Sequence, residues 1–82
     1  MNNTNIITVE AEVTGFEMQN EKIKDKLKTV FYCKSKNKQD RTCIAWGNTN
    51  IKKGNIIHMK GRFNDDVFLV WDMHIIKNST NT

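Results

Sequence analysis

Between residues 6 and 77 the apolar residues recur mainly every second position, the period of strands rather than helices. Ile7, Val9, Ala11 and Val13 alternate with Thr8, Glu10, Glu12 and Thr14, which predicts a half-buried strand. After Gly15 the apolar residues move to Phe16 and Met18. A one-residue phase slip at a glycine predicts a β-bulge or sharp bend, so that the strand can curl around a barrel or serve two sheets. Residues 19–28 are charged and read as a connector, with Ile23 and Leu27 as the only apolar pair a short helix there would have. A second strand is expected from Thr29 to about Lys36 and a third from Arg41 to Gly47, joined by the polar Asn37–Asp40. Centring that hairpin on Lys38 sets Cys33 opposite Cys43, Phe31 opposite Ala45, Tyr32 opposite Ile44 and Val30 opposite Trp46.

One face of this hairpin carries Phe31, Cys33, Cys43 and Ala45; the other carries Val30, Tyr32, Ile44 and Trp46 and continues into Lys34 and Lys36. Residues 48–54 form a connector too short for a substantial helix. In a fourth strand, Asn55 to Phe63, the residues Ile57, Met59, Gly61 and Phe63 point one way and Ile56, His58, Lys60 and Arg62 the other. Asn64-Asp65-Asp66 reads as a tight turn into a fifth strand from Val67 to about Ile76. That strand can bury Phe68, Val70 and Met73, or Leu69, Trp71 and Met73 if it bends; Trp71 is assigned to the core or to an oligomer contact. Five strands, a bent first strand and no helical crossover predict an all-β fold, a five-stranded antiparallel Greek-key barrel with little or no helix. An SH3-like barrel has the same strand count. The longer connector between the third and fourth strands favours the OB-fold.

Eighty-two residues leave room for one small domain, expected over 6–77 between polar tails at 1–5 and 78–82. A large enzyme with a deep cleft is not expected at this size. No apolar run is long enough for a membrane span or a secretory signal, so no membrane partner is expected and the expected compartment is the cytoplasm. There Cys33 and Cys43 are expected to be reduced core thiols. The charge is uneven. Residues 1–21 hold Glu10, Glu12, Glu17 and Glu21 and no base, whereas residues 22–41 hold seven lysines and Arg41 against Asp25 and Asp40. Such a block usually just faces water, and it also suits a polyanion.

The stretches Cys43-Ile44-Ala45-Trp46-Gly47 and Ile51-Lys52-Lys53-Gly54-Asn55-Ile56-Ile57-His58-Met59-Lys60-Gly61-Arg62-Phe63 resemble the bacterial single-stranded DNA-binding protein family. In that family an apolar strand ends in aromatic-glycine. A connector and a lysine-glycine turn follow, then a strand with a glycine four residues after its first core position. The opening strand from Ile7 to Phe16, with Gly15, is similar too, and by pattern the resemblance runs over residues 6–76. It implies an OB-fold and non-catalytic binding of single-stranded DNA in replication or recombination. Trp46 stands where the family carries an aromatic that contacts DNA. Three features depart from the family: its helix between strands three and four is nearly absent, its long basic hairpin is replaced by Asn64-Asp65-Asp66, and its acidic C-terminal tail is missing. The chain therefore resembles a minimal member, of phage or plasmid type, in a bacterial cell or infected host, expected to act as a dimer or tetramer.

Binding any single strand needs cations along the phosphates and flat rings that accept any base. Tyr32 and Trp46 are the candidate rings, Lys34 and Lys36 lie alongside, and His58, Lys60 and Arg62 add an outward row. The alternative for Tyr32 and Trp46 is burial, since their face is the more hydrophobic of the two; the lysines on it and the core-like Phe31, Cys33 and Cys43 opposite favour exposure. Cys33 and Cys43 are ten apart and His58 and His74 sixteen apart, which matches no zinc finger or ribbon spacing, so no metal or other cofactor is expected. No nucleophile stands beside a plausible base. RNA is the alternative ligand, because barrels of this type use the same residue types for it. A protein-interaction module whose apolar face docks a partner is the third possibility.

Overall fold

The computed structural model describes residues 6–35 and 40–77. The expected tails at 1–5 and 78–82, Lys36 and most of the loop around Lys38 lie outside these residues. The period-two segments form five strands, β1 (Ile7–Ile23), β2 (Lys26–Lys34), β3 (Arg41–Trp46), β4 (Ile56–Asn64) and β5 (Val67–Lys77). They close into a barrel in the order β1-β2-β3-β5-β4, the all-β OB-fold that the alternation predicts. The described residues contain no helix. Every neighbouring pair is antiparallel except β3 and β5, which run parallel at Thr42↔Val67, Cys43↔Phe68 and Ile44↔Leu69. Closure leaves no barrel edge there for another chain to pair with.

The phase slip at Gly15 is a bulge. Val13 pairs with Cys33 but Gly15 with Tyr32, so Thr14 is extra, and two further shifts follow before Glu21. Those slips let β1 pair with β4 through its first half and with β2 through its second. Residues 19–28 are not a connector with a possible helix. They are the end of β1, a two-residue turn at Lys24-Asp25 and the start of β2. Both turn residues have positive φ, 50° and 66°, the combination a type I′ hairpin needs to match the twist of its strands. The alternating charges of this stretch hide a ladder in which Glu21 pairs with Lys28 and Lys22 with Leu27.

The β2–β3 register differs from that expected. Cys33 lies opposite Arg41, Cys43 opposite Phe31, Val30 opposite Ile44 and Lys28 opposite Trp46. This is a two-residue shift, which leaves every side chain on its expected face because the strand period is two. Ala11, Val13, Phe31, Cys33, Cys43, Ala45, Ile51, Ile57, Met59 and Phe68 make up the core. The outward face of β2 and β3 is the one with Tyr32 and Trp46.

A polar knot and a short loop close one end of the barrel where a helix was found wanting. Ile51 of the β3–β4 connector is buried in the core. Beside it Asn20 donates from Nδ2 to the Thr49 carbonyl at 2.8 Å and accepts at Oδ1 from the Thr49 amide at 2.9 Å. The Asn20 amide donates to the buried Thr29 hydroxyl at 2.9 Å, and that hydroxyl meets Thr49 Oγ1 at 3.0 Å. Among the described residues no buried side-chain nitrogen or oxygen lacks a partner, so the knot escapes the penalty of an unsatisfied buried group. The connector is pinned to β1 by Val13 N–H to Asn55 O at 2.9 Å and Gly54 N–H to Val13 O at 2.8 Å.

β4 and β5 hold the second device that positions the site. Gly61 pairs with Val70 and Lys60 with Asp72, leaving Trp71 as the extra residue of a bulge. A Cβ on Gly61 would overlap the Leu69 carbonyl oxygen, so only glycine lets β5 approach here. The bulge also settles which residues β5 buries. Phe68 is fully buried and Val70 and Met73 pack against the core, while Trp71 is turned out to solvent at 68% exposure. Its assignment to the core is therefore corrected.

Candidate nucleic-acid interface

The outward face of β2, β3 and β5 carries a continuous patch of rings, aliphatic side chains and cations. Cα pairing sets Val30 beside Ile44, Ile44 beside Leu69 and Leu69 beside Arg62, a row that crosses four strands. Trp46 ends β3 on the same face and is 52% exposed. It does not pack into the core, because Ala45 is the neighbour that points inward. Its position is set from both sides: Gly47 N–H donates to the Leu27 carbonyl at 2.8 Å, and Lys28 Nζ lies 5.3 Å from the ring centroid. An ammonium over an indole face is a favourable contact.

Tyr32 is half-buried on the same face, two rows from Trp46, opposite Thr42 on β3. Gly15 lies beneath it, close enough that a Cβ there would meet the ring at 3.9 Å. The Tyr32 hydroxyl donates to Glu17 Oε1 at 2.7 Å. That hydrogen bond, with some desolvation and the carboxylate charge, raises the phenol above its ordinary value. The hydrogen bond thus anchors the far end of the ring to β1.

The structure divides the sequence-derived set. Tyr32, Trp46 and Arg62 share the patch. Lys34 is exposed at the end of β2, with Glu12 opposite it on β1. His58 does not belong to the patch. It lies between Glu10 on β1 and His74 on β5, with the two imidazole rings 5.1 Å apart. That strip is acidic on its β1 side, and β1 separates it from Tyr32 on β2. Lys60 is exposed and opposite Asp72, at the border between the two surfaces. Lys36 falls outside the described residues. Two residues were missed. Lys28 was hidden in the supposed connector, although a two-residue turn ending in Asp25 would have placed it. Trp71 was hidden because nothing in β5 alone marks the bulge; Gly61 on β4 was the only signal. The exposed Lys22, Lys24 and Lys26 ride on the β1–β2 hairpin that extends beyond the last β1–β4 pair, Glu12↔Ile56.

Two depressions lie elsewhere. One, of about 970 Å³, opens at the knotted end between Gln19, Asn20, Lys52, Lys53 and Ile75. The polar groups of its knot already satisfy one another, and its one aromatic, Phe16, is partly buried against the core. The other, of about 190 Å³, opens at the opposite end among Ile7, Val9, Met59, Phe68 and the two cysteines, with Phe63 at its rim under the Arg41 guanidinium at 4.9 Å. Cys33 and Cys43 are buried free thiols whose sulfurs approach to 3.0 Å on the diagonal of the ladder, not as direct partners. The contact pushes Cys43 up, through its hydrogen bond to Cys33 and then through burial. Among the described residues no group of three or more His, Cys, Asp or Glu side chains could hold a metal ion.

No family model, curated protein or solved structure matches the chain.

Proposed function

We propose that this chain is a non-catalytic binding module for single-stranded DNA, acting in replication or recombination in the cytoplasm, with bases stacked on aromatic rings of the outward β2–β3 face and phosphates tracked by lysine and arginine. The observation that carries this reading is the half-exposed Trp46 with the Lys28 ammonium over its ring, on the same face as Tyr32 and Arg62. Rings without cations would suit a protein partner, and cations without rings would suit duplex phosphates. Both together on one face favour an unpaired strand, and the lysine-bearing β1–β2 hairpin extends the positive surface beyond it. The lines of sequence that resemble the single-stranded DNA-binding family favour DNA over RNA. Self-association, as a dimer or tetramer, is proposed with it.

The test is a competition titration against a labelled oligo(dT), with unlabelled single-stranded DNA, single-stranded RNA and duplex DNA as competitors. The expected order is single-stranded DNA first and duplex last. RNA competing better than DNA would replace the ligand, and no binding to any of the three would favour the protein-interaction module. Salt gives an independent readout. With four to six phosphates neutralised, log affinity should fall against log salt with a slope of roughly −3 to −4, at about −0.7 per phosphate. A titration insensitive to salt would remove the cations from the account.

A further inference from the structure

We infer that Trp71 is a second base-stacking platform, so that the bound strand crosses the barrel from Lys28 over Trp46 and Trp71 towards Lys60 instead of running along the β4–β5 turn. This rests on the single-strand reading proposed above and assigns its path.

Three observations support it. At 68% exposure Trp71 is the most solvent-exposed of the large hydrophobic side chains. Trp71 is the extra residue of the bulge beside Lys60, at the place where Gly61 lets the Leu69 carbonyl approach β4 closely. Finally, the parallel ladder ends at Ile44↔Leu69. Trp46 and Trp71 each stand two residues beyond that last pair in sequence, and both are exposed. Lys28 flanks the pair on β2, and Lys60 and Arg62 flank it on β4. The β4–β5 turn, by contrast, is Asp65-Asp66 and repels phosphate.

The competing occupant is a second copy of this chain. A two-fold contact centred on Trp71 would bring together two copies of a patch that holds Lys28, Lys60 and Arg62 against Asp72 and Glu21, a net positive surface on each copy. Like charges set face to face oppose association, whereas a polyanion complements them.

The chain has two tryptophans, so each can be read alone. Trp46→Phe leaves Trp71 as the sole indole emitter, and Trp71→Phe leaves Trp46. Each variant is titrated with an eight-nucleotide oligo(dT) while tryptophan emission and the anisotropy of a labelled copy of the oligonucleotide are followed together. Trp71 emission should be quenched with the same midpoint as the anisotropy change. Trp71→Ala should raise Kd about five- to 150-fold, the loss of one stacked base. If the oligonucleotide binds but Trp71 emission stays constant and Trp71→Ala binds like the parent, the inference fails and the single-strand reading stands. If the parent protein itself gives no anisotropy change, the single-strand reading fails and the inference with it. A dimer in sedimentation that Trp71→Ala dissociates, with binding per chain unchanged, would assign the residue to self-association and also overturn the inference.

Discussion

Trp46→Ala should weaken binding to oligo(dT) by about 1–3 kcal/mol and leave the fold in place. The ring is half in solvent at the end of β3, and the contact the folded chain would lose is the Lys28 ammonium over its face. Such a contact stabilises by about 0.5–1 kcal/mol at an exposed site. The midpoint of thermal unfolding should therefore fall by no more than about 2–8 °C, while affinity drops roughly five- to 150-fold. Binding isotherms and thermal melts on the same preparation check both halves. A variant that binds like the parent would remove Trp46 from the interface, even with the barrel unchanged. Trp46→Phe is the useful companion, because a phenyl ring keeps a stacking face and should recover part of the loss.

Phe31→Ala should do the reverse. Phe31 sits on β2 between the two half-exposed residues Val30 and Tyr32 but points the other way, and it is fully buried. Its ring packs against Phe16 at a centroid distance of 6.4 Å and lies opposite Cys43 across the ladder. Removing a buried phenyl costs about 3–5 kcal/mol in lost transfer energy and cavity. A domain this small has about 5–15 kcal/mol in total to lose, nearer the low end for its size. Urea denaturation should show most of the stability gone or the chain unfolded at room temperature. Any weakening of DNA binding should track the unfolded fraction and vanish when affinity is expressed per folded molecule. A Phe31→Ala protein with its midpoint within about 1 kcal/mol of the parent would contradict the assignment of faces on β2.

That assignment was legible in the sequence, and for a physical reason. Strand side chains alternate strictly, so choosing Phe31, Cys33, Cys43 and Ala45 as the inner set fixed the outward position of Tyr32 and Trp46 without any knowledge of register. The register itself was not legible. A shift of two preserves every face, and the length of turn that separates Cys33 opposite Cys43 from Cys33 opposite Arg41 leaves no mark on hydrophobic pattern. The Gly15 bulge was visible because it moves the apolar residues from odd to even positions. The Trp71 bulge was not, since Phe68, Val70 and Met73 can be fitted to β5 in more than one way and the deciding contact, Gly61 against the Leu69 carbonyl, lies between strands.

The candidate site was legible in part for a related reason. Outward and inward can be read along one strand, but two outward residues on a closed barrel need not lie on the same side. His58 is outward as expected, yet β4 has β1 on one flank, and Glu10 stands beside that histidine. Tyr32 pairs with Gly15, on the half of β1 that lies beyond its last β4 partner, so β1 stands between the two residues. Lys28 was lost to a different limit. The alternating acids and bases of residues 19–28 resemble a solvated connector as closely as they resemble a hairpin, and the strand there is held by cross-strand pairs that only the fold reveals.

The measurement that bears most directly on the proposed interface is a map of backbone amide chemical shifts as oligo(dT) is added to the labelled protein. Perturbations should gather on the outward face of β2, β3 and β5, at Lys28, Tyr32, Ile44, Trp46, Leu69 and Trp71. The strip around Glu10, His58 and His74 should stay still. Shifts confined to that acidic strip or to the knotted end of the barrel, or no shifts at saturating oligonucleotide, would contradict the account.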